Sequence, residues 1–204
     1  MEEYGKRILN IVVLFTLLII GLFTSSVRAD TYVFPEDVTL QVFKTLPIRY
    51  YGNPGGNFCG VLLFANWGCD YCRYFAKKIM QAIDEGENIV LYLYLDHSDD
   101  EDILDKTASF ICSKEGMEYF VDSAVSEAPE ADEVCKEEIK NRLFLIGDWF
   151  DDNVLDRFVG DDFDLTHYPM VLLNDGSFYT QDTITPEMII EKCKEVTGEQ
   201  AEHS

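Results

Sequence analysis

Val61-Leu62-Leu63-Phe64-Ala65-Asn66-Trp67-Gly68-Cys69-Asp70-Tyr71-Cys72-Arg73-Tyr74-Phe75-Ala76 is the stretch from which the rest of the chain can be read. Its first five residues form an unbroken apolar run, the mark of a strand buried on both faces. After the turn, Phe75, Ala76, Ile79, Met80 and Ile83 recur at the spacing of one helix face. Ile89-Val-Leu-Tyr-Leu-Tyr-Leu95 is a second apolar run of the same kind. Strand, helix and strand at this spacing predict a βαβ unit, with the two strands parallel and joined by a crossover.

Working outward toward the C-terminus, residues from about 98 to 158 carry helical patterns and no convincing strand. Asp99 to Ser113 places Ile103, Leu104, Thr107, Phe110 and Ile111 on one face. Met117 to Val125 and Ala131 to Phe150 follow. Met170-Val-Leu-Leu173, the turn Asn174-Asp175-Gly176 and the return strand Ser177 to Gln181 predict a hairpin. Thr185-Pro186-Glu187 opens a helix with an N-cap, a proline at its first position and an acid near its positive end, and Gly198 closes it after Val196. On the other side, Gly52 to Asn57 is a turn. Val38-Thr-Leu-Gln-Val42 and Ile48-Arg-Tyr-Tyr51 read as short extended pieces. The expected fold class is α/β. Residues 30–45 form an N-terminal segment, 46–198 a single domain with a helical insertion at about 98–158, and 199–204 a tail.

Of the 204 residues, 47% are hydrophobic and 13% aromatic, enough for a packed core, which excludes wholesale disorder. Lys and Arg number 16 against 38 Asp and Glu, so the net charge of −22 would repel phosphate backbones and excludes nucleic acid as a partner. At the start, Lys6 and Arg7 precede an apolar run from Ile8 to Phe23, followed by Thr24-Ser25-Ser26 and Val27-Arg28-Ala29. This is the layout of a secretory signal peptide over residues 1–29, with cleavage after Ala29. The apolar run is short for a spanning helix of about 20 residues, and an uncleaved membrane anchor is the alternative. Either way the remainder is exported, to a compartment where disulfides persist.

Six cysteines therefore matter. Cys69-Asp-Tyr-Cys72 lies between a buried strand and a helix. Zinc would need a second ligand pair, and no other C-x-x-C or H-x-x-x-H is present, so no metal or bound cofactor is expected. A purely structural disulfide is a second alternative. The redox reading is favoured by the setting: unpaired N–H groups and the dipole at a helix N-terminus stabilise a thiolate and lower its pKa. Cys69 is then the nucleophile and Cys72, one turn on, the resolving thiol. Cys59, at the start of the central strand, and Cys193, on the last helix, can pair geometrically or remain two buried thiols. The acidic runs at Asp99–Asp105 and Asp148–Asp164 read as solvated helix faces without EF-hand spacing. His97, after a strand, reads as a surface residue.

The order strand, CDYC, helix, strand, helical insertion, X-Pro strand, hairpin and helix resembles the thioredoxin fold. More closely, it resembles the catalytic domain of bacterial periplasmic disulfide isomerases of the DsbC/DsbG type, over roughly Leu46 to Val196. The matching points are Tyr71 within the C-x-x-C, Cys112 and Cys135 in the insertion, Tyr168-Pro169 before the strand, and Val171 to Gly176 as strand and turn. The resemblance implies a structural, non-catalytic disulfide between Cys112 and Cys135. It also implies a cis Tyr168-Pro169 bond packed against the C-x-x-C, with the Tyr168 backbone pairing with an extended substrate peptide and Asp70 and Tyr71 beside it. Family members carry a smaller residue than Tyr168, which narrows the groove here. The same mapping sets His167 near Cys69, where its protonated form would stabilise the thiolate; a solvated loop histidine is the plainer reading. Asp70 acts in the opposite sense.

The family's N-terminal dimerisation domain has no room before Leu46, so a monomer is expected. The implied function is a periplasmic thiol–disulfide oxidoreductase that reduces or isomerises disulfides. Its partners would be unfolded or misoxidised exported proteins and a membrane thiol–disulfide electron-transfer protein. A net dithiol oxidase of the DsbA kind and a non-catalytic peptide-binding or chaperone module of a secretion system are the alternatives.

Overall fold

The computed structural model describes residues 32–46, 49–95, 100–122, 128–155, 157, 159, 168–180 and 184–198. Residues 1–29, read above as a signal peptide, His97, His167, the tail and parts of the two acidic runs lie outside the described residues. In chain order the elements are β1 (Tyr32–Val33), α1 (Glu36–Thr45), β2 (Arg49–Tyr51), β3 (Cys59–Ala65), α2 (Asp70–Asp84), β4 (Ile89–Leu95), α3 (Glu101–Cys112), α4 (Met117–Asp122), α5 (Glu133–Phe150), β5 (Met170–Leu173), β6 (Ser177–Tyr179) and α6 (Pro186–Thr197). One π-helical turn, Asp151–Leu155, extends α5.

The six strands form one sheet in the order β1-β6-β5-β3-β4-β2. β3 and β4 are parallel, as the two apolar runs require, while β5 lies antiparallel on the other side of β3. Every residue of β3 is buried. Register partners share a face, so Leu62 with Tyr92 and Phe64 with Tyr94 look to one side. There Phe43 of α1 meets Tyr92 edge-on at 5.3 Å, and Phe150 of α5 stacks on Phe64 at 5.0 Å. Cys59 has the opposite parity and is disulfide-bonded to Cys193 of α6, so α6 covers the other face together with α2, which packs against it.

The segment Val38–Val42 is helical, not extended as its β-branched residues suggest. Glu36 and Asp37 in the first turn and Lys44 in the last complement the helix dipole, and Thr39 Oγ1 donates to the Pro35 carbonyl at 3.0 Å. Thr39, Val42 and Leu46 are buried at i, i+3 and i+7, so packing on the sheet overrides strand propensity. The segment before Leu46 is built into the fold: β1 pairs with β6, and Phe34 N donates to the Gly176 carbonyl at 2.8 Å. Gly176 sits at φ 91°, where a Cβ would run into the Phe34 carbonyl oxygen; the hairpin turn admits the chain's first strand only because it is glycine.

The insertion is fastened at three points. Arg49 of β2 donates through Nη2 to the carbonyls of Phe110 and Ile111 at 2.8 Å each, and to that of Ser113, capping the C-terminus of α3. Its guanidinium lies 5.6 Å from the Phe110 ring centroid, and burial lowers its pKa. Lys140 and Lys136 of α5 reach Asp105 of α3 at 2.7 and 3.4 Å, and the Lys140 hydrogen bond above all holds the Asp105 carboxyl below its usual range. Cys112, the last residue of α3, is bonded to Cys135 in the first turn of α5. Among the described residues no helix is long and apolar enough to cross a membrane.

Arg49 is the fastening with the sharpest expectation. Hydrogen bonds from a charged group contribute about 1.5–3 kcal/mol, and removing the donor leaves the α3 carbonyls short of partners. Arg49→Met should lower the unfolding free energy by about 2 kcal/mol in urea titration. Arg49→Lys should recover only part, because an ammonium is more strongly hydrated and lacks the planar face that the guanidinium sets against Phe110.

Candidate active site

Cys69 is the N-cap of α2, in extended conformation, and its Sγ accepts a hydrogen bond from the Cys72 backbone N–H at 3.0 Å. A sulfur thus occupies the place usually taken by a capping oxygen, at the positive end of a helix 15 residues long. Cys72 follows one turn on and is completely buried, whereas Cys69 is partly exposed. The two are joined as a disulfide with Cα atoms 5.2 Å apart. In the reduced pair, attack from outside can reach Cys69, while Cys72 is placed to attack Cys69 from within.

The turn between β3 and the dithiol is held from two sides. The Trp67 indole is buried, with Phe110, Tyr119 and Phe120 set edge-on around it at centroid distances of 5.6, 6.4 and 5.7 Å. Its Nε1 donates to Thr107 Oγ1 at 3.0 Å, and that hydroxyl donates to the Ile103 carbonyl at 2.9 Å. Lys106 Nζ lies 4.2 Å from the indole centroid, close enough for a cation–π contact, and burial, then Arg73, lowers its pKa. The helical insertion therefore supplies the wall of the site. Trp67, Arg73, Lys106 and Thr107 are absent from the site residues that the sequence suggests. Arg73 could have been found, since it lies three residues from Asp70 on one helix; the three others are brought together only by tertiary contact.

Asp70 is exposed and ion-paired with Arg73. Tyr71 is partly buried, its hydroxyl donating to the Ile184 carbonyl at 3.2 Å and its ring stacking on Tyr74 at 5.8 Å. Burial, then Glu187 and Tyr74, raises its pKa, so it remains a donor. Met170 is the register partner of Phe64, which puts Tyr168-Pro169 at the same end of β3 as Trp67 to Cys72. That peptide bond is cis and Tyr168 is buried. Cys59–Cys193 lies at the opposite end of β3, about 20 Å along the strand from Ala65. Cys112–Cys135 joins α3 and α5, beyond the part of α3 that faces Trp67. Among the described residues no group of three or more His, Cys, Asp or Glu side chains is placed to hold a metal ion.

No protein-family model and no curated protein sequence matches the chain. Solved structures do. A thioredoxin-like oxidoreductase from Silicibacter pomeroyi superposes with a TM-score of 0.51 at 12% identity, covering 80% of this chain and 98% of that one. ScsC of Proteus mirabilis, in a transitional conformation, gives 0.51 at 12% identity, covering 95% and 93%. A periplasmic thioredoxin-like protein from Salmonella enterica serovar Typhimurium gives 0.50 at 11%, covering 81% and 99%. The fold is thioredoxin-like. At these identities the likeness extends to architecture, a thioredoxin-like sheet carrying a helical insertion, and leaves the DsbC/DsbG assignment at the level of the resemblance that suggested it.

From its exposure and helix position, Cys69 is expected to be the reactive thiol of the reduced pair. Alkylation near neutral pH, read by peptide mass, should label Cys69 ahead of Cys72, with a pKa below the unperturbed value of about 8.5. Preferential labelling of Cys72 would reverse the two roles.

Proposed function

We propose that the protein is a periplasmic thiol–disulfide oxidoreductase that reduces or isomerises disulfides of exported proteins through Cys69 and Cys72. The observation that carries this reading is the asymmetry of the pair: a partly exposed sulfur capping α2 and accepting the Cys72 N–H, and a buried sulfur one turn behind it. A dithiol built only to brace the fold has no need of an exposed member at a helix N-terminus. The export signal read over residues 1–29 supports an oxidising compartment.

In the reduced protein the Cys69 thiolate attacks one sulfur of a substrate disulfide. A mixed disulfide forms and the other substrate sulfur leaves as a thiolate, which takes a proton. In isomerisation another thiolate of the same substrate attacks the substrate sulfur of the mixed disulfide, a new substrate disulfide forms, and Cys69 leaves as the thiolate with no net change in redox state. In reduction the Cys72 thiolate attacks the Cys69 sulfur, the Cys69–Cys72 bond closes, and the second substrate sulfur leaves. Two electrons pass to the substrate, and a dithiol partner protein must restore the pair. Tyr168 and Pro169, at the same end of the sheet, are the proposed contact for an extended substrate segment. Tyr71, tied to Ile184, forms another side of that surface. Cys112–Cys135 takes no part in turnover in this reading.

The reduced protein should catalyse dithiol-dependent reduction of insulin, and Cys69→Ser should abolish turnover. A binding module would leave insulin unreduced while still retaining peptide. Replacing Cys112 and Cys135 together by alanine removes a bridge across a sequence separation of 23. In the chain-entropy treatment that costs about 3.5 kcal/mol of stability. Insulin reduction should stay within about twofold of wild type, because the bridge lies outside the exchange path.

A further inference from the structure

Cys69 is bracketed by two contacts that end on one side chain. Two residues before it, the Trp67 carbonyl accepts from Arg73 Nη1 at 2.6 Å. One residue after it, the Asp70 carboxylate is ion-paired with Arg73 Nη2. The Arg73 side chain is 17% exposed and that of Asp70 93% exposed, so the guanidinium lies against the protein and the carboxylate comes to it. From α3, Lys106 covers the Trp67 indole, and it feels the charge of Arg73. From α6, Glu187 acts on Tyr71. Around the dithiol the charged groups described are thus the Asp70 carboxylate beside the sulfur, the Glu187 carboxylate toward Tyr71, and two cations around the preceding tryptophan.

We infer that Arg73 is a positioning residue for the Cys69 thiolate, fixing the turn that holds Sγ on the N-terminus of α2 and cancelling the Asp70 carboxylate next to it. The turn has no freedom to drift while Trp67 is gripped by its ring and its carbonyl at once. The Cys72 N–H donor is already aimed at Cys69 Sγ with the disulfide closed, so reduction leaves a thiolate on a prepared donor. A carboxylate beside a thiolate raises its pKa, and pairing that carboxylate with a guanidinium leaves the helix dipole as the dominant field. This inference deepens the proposed function and rests on it for any consequence in turnover, though not for the ionisation of Cys69.

The test uses the full chain with its dithiol reduced. The pH dependence of Cys69 alkylation by iodoacetamide gives the thiol pKa, and equilibration with glutathione gives the reduction potential. Arg73→Met should raise the Cys69 pKa by about half a unit to one unit, the size of one uncompensated charge beside a partly exposed group. It should also make the potential more negative, because a less stabilised thiolate favours the disulfide. Adding Asp70→Asn to Arg73→Met should return the pKa toward wild type, and Arg73→Lys should hold most of it. A merely structural role would lower the unfolding midpoint and leave both readouts in place. Folded Arg73→Met protein with unchanged pKa and potential overturns the inference, as does a shift that Asp70→Asn does not reverse. Should Arg73→Met not fold, Arg73→Gln against Arg73→Lys carries the comparison, and equal Cys69 pKa values in the two overturn it. Alkylation reads ionisation alone, so a wild-type protein without insulin turnover would sink the proposed function and leave this result readable.

Discussion

β3 runs through the middle of the sheet with all seven of its residues withdrawn from water, and a strand with two apolar faces must have both of them covered. That requirement sets most of the architecture. A parallel neighbour is possible only if the chain crosses over between the two strands, and α2 is that crossover, laying Phe75, Ala76 and Ile79 into the core. α6 joins α2 on one face, and α1 and the end of α5 close the other with Phe43 and Phe150. Because α2 must start where β3 ends, its N-terminus falls at the end of a central strand. A cysteine at the N-cap of that helix is therefore partly exposed and set at the helix's positive end, where an anion is favoured.

The insertion has two duties in the structure, and they pull on different residues. Trp67, Phe110, Tyr119 and Phe120 make an aromatic cluster that fixes the turn before Cys69. Arg49, the Asp105–Lys140 pair and the Cys112–Cys135 bond keep α3 and α5 in place behind that cluster. A chain with a net charge of −22 needs such ties, because an acid-rich segment repels itself. The carboxylates are not idle: Asp100 and Asp132 cap α3 and α5, Asp132 accepting from the Cys135 N–H at 2.9 Å.

The strand expected over Val38–Val42 is a helix because a local preference yields to its tertiary setting. Val38, Thr39 and Val42 favour a strand by their branched side chains, yet Pro35, Glu36, Asp37 and Lys44 mark a helix. The sheet face above Tyr92 decided between them. Asp70 was weighed as a bare charge against the Cys69 thiolate, with His167 as its counterweight. The described residues show Arg73 in contact with that carboxylate, one turn further along the helix.

Apolar runs of two strands, the helical spacing between them and a C-x-x-C at their junction specified the βαβ unit and the dithiol. These are local patterns, and their physics acts between residues a few positions apart. The hairpin at Asn174 to Gly176 and the helix begun by Thr185-Pro186 were legible for the same reason. Tertiary structure alone decided that Cys59 joins Cys193 across a sequence separation of 134, that Lys106 and Thr107 converge on Trp67, and that β1 closes the sheet against a glycine turn. Those contacts depend on how twisted layers come to rest on one another, and no spacing along the chain encodes a distance across it.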